Sequence, residues 1–223
     1  MMKRPLVELC AAAILATVSA WATGASATDR QATNVDLVSA QNAAEVVAST
    51  TAKLRADLAA MAAGASNGVP QHDTRLQGLV ERHVGPHVDF DRIANWVIGK
   101  PWAVASQTQR RRLLTELRKM MFRTYSQALG SLAEANIVYG KAKVSRSGKN
   151  TVIPTRVTAA AGSQMTMKYY LYKRNDAWRL YDISVSGVRM LPTYKATFKD
   201  RMRRSGMDGL IDHLVAINTT HGS

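Results

Sequence analysis

The sequence has a single cysteine, Cys10, so no disulfide can form within the chain and the fold has to rest on its apolar core. Acidic residues are also scarce, 16 against 30 Lys and Arg, a formal net charge of +14. Long hydrophobic runs are missing as well. The longest, Leu9 to Val18, is too short to span a bilayer alone, and nothing later approaches the roughly 20 apolar residues a membrane helix needs. No phosphate-cradling glycine loop is present, and His72, His213 and His221 have no cysteine or acidic companions at metal-ligand spacing.

The first residues have the three-part layout of a secretory signal. Lys3 and Arg4 form a basic start, Leu9 to Val18 an apolar stretch, and Ala25-Ser26-Ala27 a small-residue cleavage site. Residues 1–27 are therefore expected to be a signal peptide cut after Ala27, and 28–223 a single domain exported to the periplasm. Cys10 is a poor lipidation site, because Val7, Glu8 and Leu9 supply no apolar region and no small residue before it. Removing Lys3, Arg4 and Glu8 turns the counts of 30 and 16 into 28 and 15, a net +13. In a cytoplasmic protein such an excess points to nucleic acid. Export removes that partner, leaving anionic membrane surfaces and acidic proteins as targets, or a solvated surface that keeps the chain soluble.

Residues 28–34 are polar and read as loose, whereas Val46, Val47, Leu54, Leu58 and Met61 recur at helical spacing from Val35 to about Ala63. Gly64 to Thr74 reads as a long exposed loop. Leu76, Leu79, Val80, His83 and Val84 mark a second helix stopped at Gly85-Pro86, and Ile93, Trp96 and Val97 a short third. Ser106 with Gln109 forms a capping box before a strongly periodic helix through Leu113, Leu114, Leu117, Met120, Met121 and Tyr125. After Leu132 the period becomes two. Segments 137–145, 151–159, 164–174 and 178–188, separated by turn residues, predict a four-stranded antiparallel meander. Helical patterns at 194–204 and 208–218 close the chain, so the fold class is α+β.

Chemistry that needs specific residues finds little support. Gly64-Ala65-Ser66-Asn67-Gly68 has the spacing of a nucleophile elbow, but that motif requires a strand before and a helix directly after, and here a helix precedes and Val69-Pro70 follows. His83 and His87 are four apart, yet Gly85-Pro86 breaks the helix between them. Asp89 and Asp91 open a predicted helix and are explained as capping groups. Ten methionines and the tyrosines on the expected sheet fit either core packing or the lining of a greasy pocket.

A series of short motifs over residues 80–218 resembles the MlaC (toluene-tolerance) family of periplasmic phospholipid-binding proteins. Pro86, Asp89, Phe90, Gly99, Trp102, Gln109, Arg110, Thr124 and Tyr125 match one stretch. Trp178, Arg179, Leu180, Tyr181, Asp182, Gly187 and Val188 match a strand, and Gly206, Asp208, Gly209 and Leu210 a closing helix. Two positions depart from the pattern: Arg189 stands where Ser commonly follows Gly-Val, and an aromatic of the Gln-Arg helix is aliphatic near Leu117. The resemblance implies a curved antiparallel sheet of about four strands, packed with helices around an apolar pocket for acyl chains. It implies phospholipid as cargo, with no cofactor and no catalysis. It also implies two partners, an inner-membrane MCE-domain protein with its ABC transporter and an outer-membrane lipoprotein–porin complex, in a system that maintains outer-membrane lipid asymmetry. A hopanoid-associated branch shares much of the pattern. An enzyme with a similar cone-shaped cavity and a lipid-free adaptor are the competing readings.

Strand alternation combined with the stripe of the capped helix predicts the lipid-binding surface. Val157, Met167, Tyr169, Leu171, Tyr181, Ile183 and Val185 are expected to face inward from the sheet, toward Trp96, Val97, Leu117, Met121 and Tyr125.

Overall fold

Apolar residues at helical spacing in the first half of the chain and alternating residues in the second produce the elements of a computed structural model that describes residues 27–63, 72–130 and 134–220, with side chains for 38–63, 75–124 and 134–219. The expected signal peptide, apart from Ala27, and the Gly64–Gly68 segment lie outside the described residues. Helix α1 runs Ala27–Ala63 and α2 His72–Val84. The first begins ahead of Val35 because residues 28–34 carry no apolar stripe for periodicity to detect, although their residue types tolerate a helix. The second takes in His72, Asp73 and Thr74, which the sequence placed in the loop.

Gly85–His87 forms one 3₁₀ turn, as expected from the proline. It is tied to the sheet by the N–H of Asp89 donating to the Leu180 carbonyl at 3.1 Å. Helix α3, Phe90–Ile98, is capped by Asp89, whose side chain accepts from the Arg92 N–H at 2.9 Å. A short α4, Lys100–Val104, follows Gly99. Helix α5, Gln107–Gly130, opens with the predicted capping box: the Gln109 N–H donates to Ser106 Oγ and the Ser106 N–H to Gln109 Oε1, both at 3.1 Å.

Among the described residues the sheet has six strands, against the four expected: β1 Asn136–Tyr139, β2 Lys143–Val144, β3 Asn150–Thr158, β4 Gln164–Arg174, β5 Ala177–Val185 and β6 Val188–Arg189. Its order is β1-β3-β4-β5-β6, antiparallel throughout, with β2 also on β3. The two extra strands arise because each expected end segment divides. Gly140 interrupts the first, its N–H donating to the Pro154 carbonyl at 2.7 Å. In the last, Ser186 and Gly187 take φ of 48° and 89°. Two successive positive φ values make the tight two-residue turn that joins β5 to β6.

Helix α6, Met190–Thr220, merges the two closing helices across a break at Gly206, where φ 64° and ψ −166° suit glycine alone. It packs on α3 and α5 through Ile93, Val97, Leu113, Leu117, Leu210, Ile211 and Leu214, forming an all-helical core. A second core joins α1 to the sheet through Ala43, Val47, Ile153, Leu171 and Trp178. A third joins α1, α2 and α5 through Leu54, Leu58, Leu76, Val80 and Phe122. No helix among the described residues is long and apolar enough to cross a membrane.

Candidate functional site

Residues of β4 alternate between two faces, and Met165, Met167, Tyr169 and Leu171 point the same way. Opposite them, the helices leave a gap instead of closing on the sheet. The result is a cavity of about 390 Å³, within the roughly 300–1,000 Å³ usual for ligand sites. Its sheet wall continues through Leu180, Tyr181, Ile183 and Val185 of β5, which joins β4 with a register shift at Tyr170/Leu171. That irregularity lets neighbouring residues 180 to 183 all reach the lining. The helical wall comes from Val46, Val47, Thr50, Thr51 and Leu54 of α1, Val80 and Val84 of α2, Phe90 and Ile93 of α3, and Met121 and Phe122 of α5. His87, Val88, Met190 and Leu191 complete it.

Of the residues that sequence reasoning placed at the site, Met121, Met167, Tyr169, Leu171, Tyr181, Ile183 and Val185 come together on the lining. Val97 and Leu117 do not; both are buried in the all-helical core. Helix α3 turns Phe90 and Ile93 to the cavity and Val97 to α6, so one apolar stripe serves two neighbours. Trp96 faces outward, 40% exposed, with the Lys195 Nζ 4.3 Å from its ring centre. Val157 packs beside the lining, against Ala135 and Met167. Tyr125 belongs to α5, and its side chain is outside the described residues. Sequence reasoning missed the whole contribution of α1 and α2. Their apolar stripes were visible, but a stripe does not say which partner it faces.

Polar groups on this lining are few, and the Thr51 hydroxyl donates to the Val47 carbonyl at 2.8 Å. The Tyr169 hydroxyl meets Met167 Sδ at 4.0 Å, and burial, helped by nearby Tyr139, pushes its pKa up, so it is a neutral phenol. Burial, followed by Arg179 and Lys53, holds the His87 pKa below its ordinary value, and His87 is neutral at pH 7. His83, four residues earlier, turns away to Asp57 on α1, its Nε2 2.8 Å from Oδ2. The expected helix break between the two histidines thus separates them. Asp182 lines the cavity but is fully engaged, accepting from the N–H groups of Ile183 and Leu191 and from Arg189.

Outside the cavity, Asp89 accepts from Tyr172 and, at 2.8 Å, from Arg174 as well as capping α3. Burial raises its pKa, but these hydrogen bonds outweigh it and leave the carboxyl below the ordinary value. The capping explanation of Asp89 holds, and the carboxylate also fastens β4 to α3. Among the described residues no three His, Cys, Asp or Glu side chains stand together as a metal site.

An antiparallel sheet and five surrounding helices, enclosing a cavity walled almost wholly by Val, Leu, Ile, Met and aromatic side chains, define a small α+β protein built around space for an apolar ligand. The chain belongs to the MlaC family: residues 55–216 match the family described as MlaC protein. It is 25% identical to the toluene tolerance protein ttg2D of Pseudomonas putida over 172 residues, covering 77% of this chain and 78% of that one. It is 24% identical to the intermembrane phospholipid transport system binding protein MlaC of Haemophilus influenzae over 148 residues, covering 64% and 68%. Its fold is similar to that of a phospholipid-binding protein from Ralstonia solanacearum, solved in complex with a phospholipid, with a TM-score of 0.70 and 22% identity over 80% of this chain and 98% of the other.

Proposed function

We propose that the protein is a periplasmic phospholipid carrier, the soluble component of an MCE/ABC-type system that moves lipid between the inner and outer membranes and maintains outer-membrane lipid asymmetry. The observation that carries this reading is the chemistry of the cavity: walls made mostly of Val, Leu, Ile, Met and aromatic side chains, with the Asp182 carboxylate already engaged, a lining suited to acyl chains. Two acyl chains of about 14 methylenes each, at roughly 0.8 kcal/mol per methylene, cost on the order of 20 kcal/mol to expose to water. Free passage across an aqueous gap is negligible on that scale. A cavity that replaces bilayer by Met, Leu and Tyr side chains makes the transfer nearly isoenergetic, so the lipid is cargo and no cofactor or bond-breaking step is needed. Direction comes from the partners, an inner-membrane MCE-domain protein with its ABC transporter and an outer-membrane lipoprotein–porin complex, through different affinities for loaded and empty states.

The test is a carboxylate in the lining. Met167→Glu sets a charge against the acyl chains, and burying it unpaired costs several kcal/mol, roughly 3 or more. In an emptied cavity water solvates it. Met167→Glu, and Ile183→Glu in a less tightly packed position, are expected to fold and to lose bound phospholipid when organic extracts are weighed against protein. Folded variants that retain stoichiometric lipid would contradict the reading.

A further inference from the structure

Most of the cavity wall is fastened by apolar packing; at its seam between β5 and α6, Leu191 is buried in the all-helical core, whereas β6 and Met190 just before it are not buried. Strand β6 contributes only the pairs Ser184–Arg189 and Val185–Val188, and α6 begins at the next residue with Met190 and Leu191, both on the lining. One carboxylate ties β6 and the start of α6 to β5. Asp182 Oδ1 accepts from the N–H of Ile183 at 2.9 Å and of Leu191 at 3.1 Å. Its Oδ2 accepts from Arg189 Nε at 2.7 Å and lies 2.6 Å from Arg189 Nη2, so two nitrogens of one guanidinium converge on a single oxygen of an ion pair. The two partners differ in access to water: the Asp182 side chain is 0% exposed and that of Arg189 39%. The Arg189 guanidinium also lies 4.3 Å from the ring centre of Tyr170, on the face of the sheet opposite the cavity.

We propose that the Asp182–Arg189 pair is a latch on the cavity, and that Arg189, as a positioning residue, sets how quickly lipid enters and leaves. The inference rests on the carrier reading for its ligand. A charged bridge with one half in water opens without exposing apolar surface, whereas separating the α1 or α2 wall from the sheet exposes buried Val and Leu. Releasing Arg189 frees β6 and Met190 to move off β5, while Leu191 stays in the all-helical core. The latch thereby lets the lipid pass while the three apolar cores stay packed.

Asp182→Asn tests this without stranding a buried charge, because the released Arg189 faces solvent; removing Arg189 alone would leave Asp182 unpaired among apolar groups. Transfer of a pyrene-labelled phosphatidylethanolamine from the loaded protein to phosphatidylcholine vesicles is expected to run about tenfold faster in Asp182→Asn, the factor that corresponds to about 1.4 kcal/mol. Arg189→Lys, which keeps the charge but not the two nitrogens that converge on Asp182 Oδ2, falls between that variant and the wild type. Amide hydrogen exchange across residues 188–192 rises in step, with the rest of the protein protected as before. Unchanged transfer rates, or faster transfer with 188–192 still protected, overturn the latch. A wild-type protein that takes up no labelled lipid overturns the carrier reading instead, and hydrogen exchange then decides by itself whether Asp182 pins the junction.

Discussion

His87 shows how much a single residue's meaning depends on what the fold puts beside it. In sequence it was one half of a possible ligand pair; in the structure it lines the cavity with Arg179 and Lys53 nearby, and its partner of the pattern is bonded to Asp57. Its folded pKa lies below the ordinary 6.5, so the native state takes up its proton less readily than the unfolded chain does. Stability is therefore flat with respect to this group above pH 6.5 and falls as pH drops below that value. His213, lowered by burial and then by Arg201, adds a slope of the same sign, so the comparison has to be made against a variant. Between about pH 7.5 and 5.5, urea melts of the wild type are expected to lose more stability than those of His87→Gln. Equal losses would place the imidazole in ordinary solvent. Other residues were legible from the start. Asp89 as a cap and the Ser106–Gln109 box follow from local rules that tertiary contacts do not alter.

Among the elements, α5 and strand β4 match their sequence patterns nearly end to end, because a long periodic stripe with a cap and a clean alternation each leave one solution. The walls were less legible. Ile93, Trp96 and Val97 form one stripe in sequence, yet they meet the cavity, solvent and α6 respectively. Periodicity fixes which residues share a face, not which neighbour covers it. Helix α1 is the largest consequence: Val46, Val47, Thr50, Thr51 and Leu54 make one side of the cavity, a role that neither the motifs nor the spacing announced. Val46→Trp fills space that a ligand would occupy. It is expected to leave the melting temperature within a few degrees, about 2–4 °C for a chain of this size, while reducing bound lipid several-fold. Full lipid occupancy in a folded Val46→Trp protein would remove α1 from the binding wall.

Over the whole molecule the net positive charge remains, but particular cations on α5 and α6 have acidic neighbours. Arg203 and Arg204 share Asp200, Arg112 meets Asp212, Arg118 meets Glu81 and Lys119 meets Glu116. These are exposed pairs, each contributing little to stability and weakening in salt. The stronger organising feature is that the sheet and helices do not close on one another, so the protein keeps a greasy void where close packing would be more stable. A void of this kind is explained by what fills it. The direct measurement is to purify the protein without detergent, extract it with organic solvent and quantify lipid by mass spectrometry. About one equivalent of phospholipid per chain, lost in Met167→Glu, is the predicted result; protein that comes away free of lipid and takes none up from phospholipid vesicles would contradict the account.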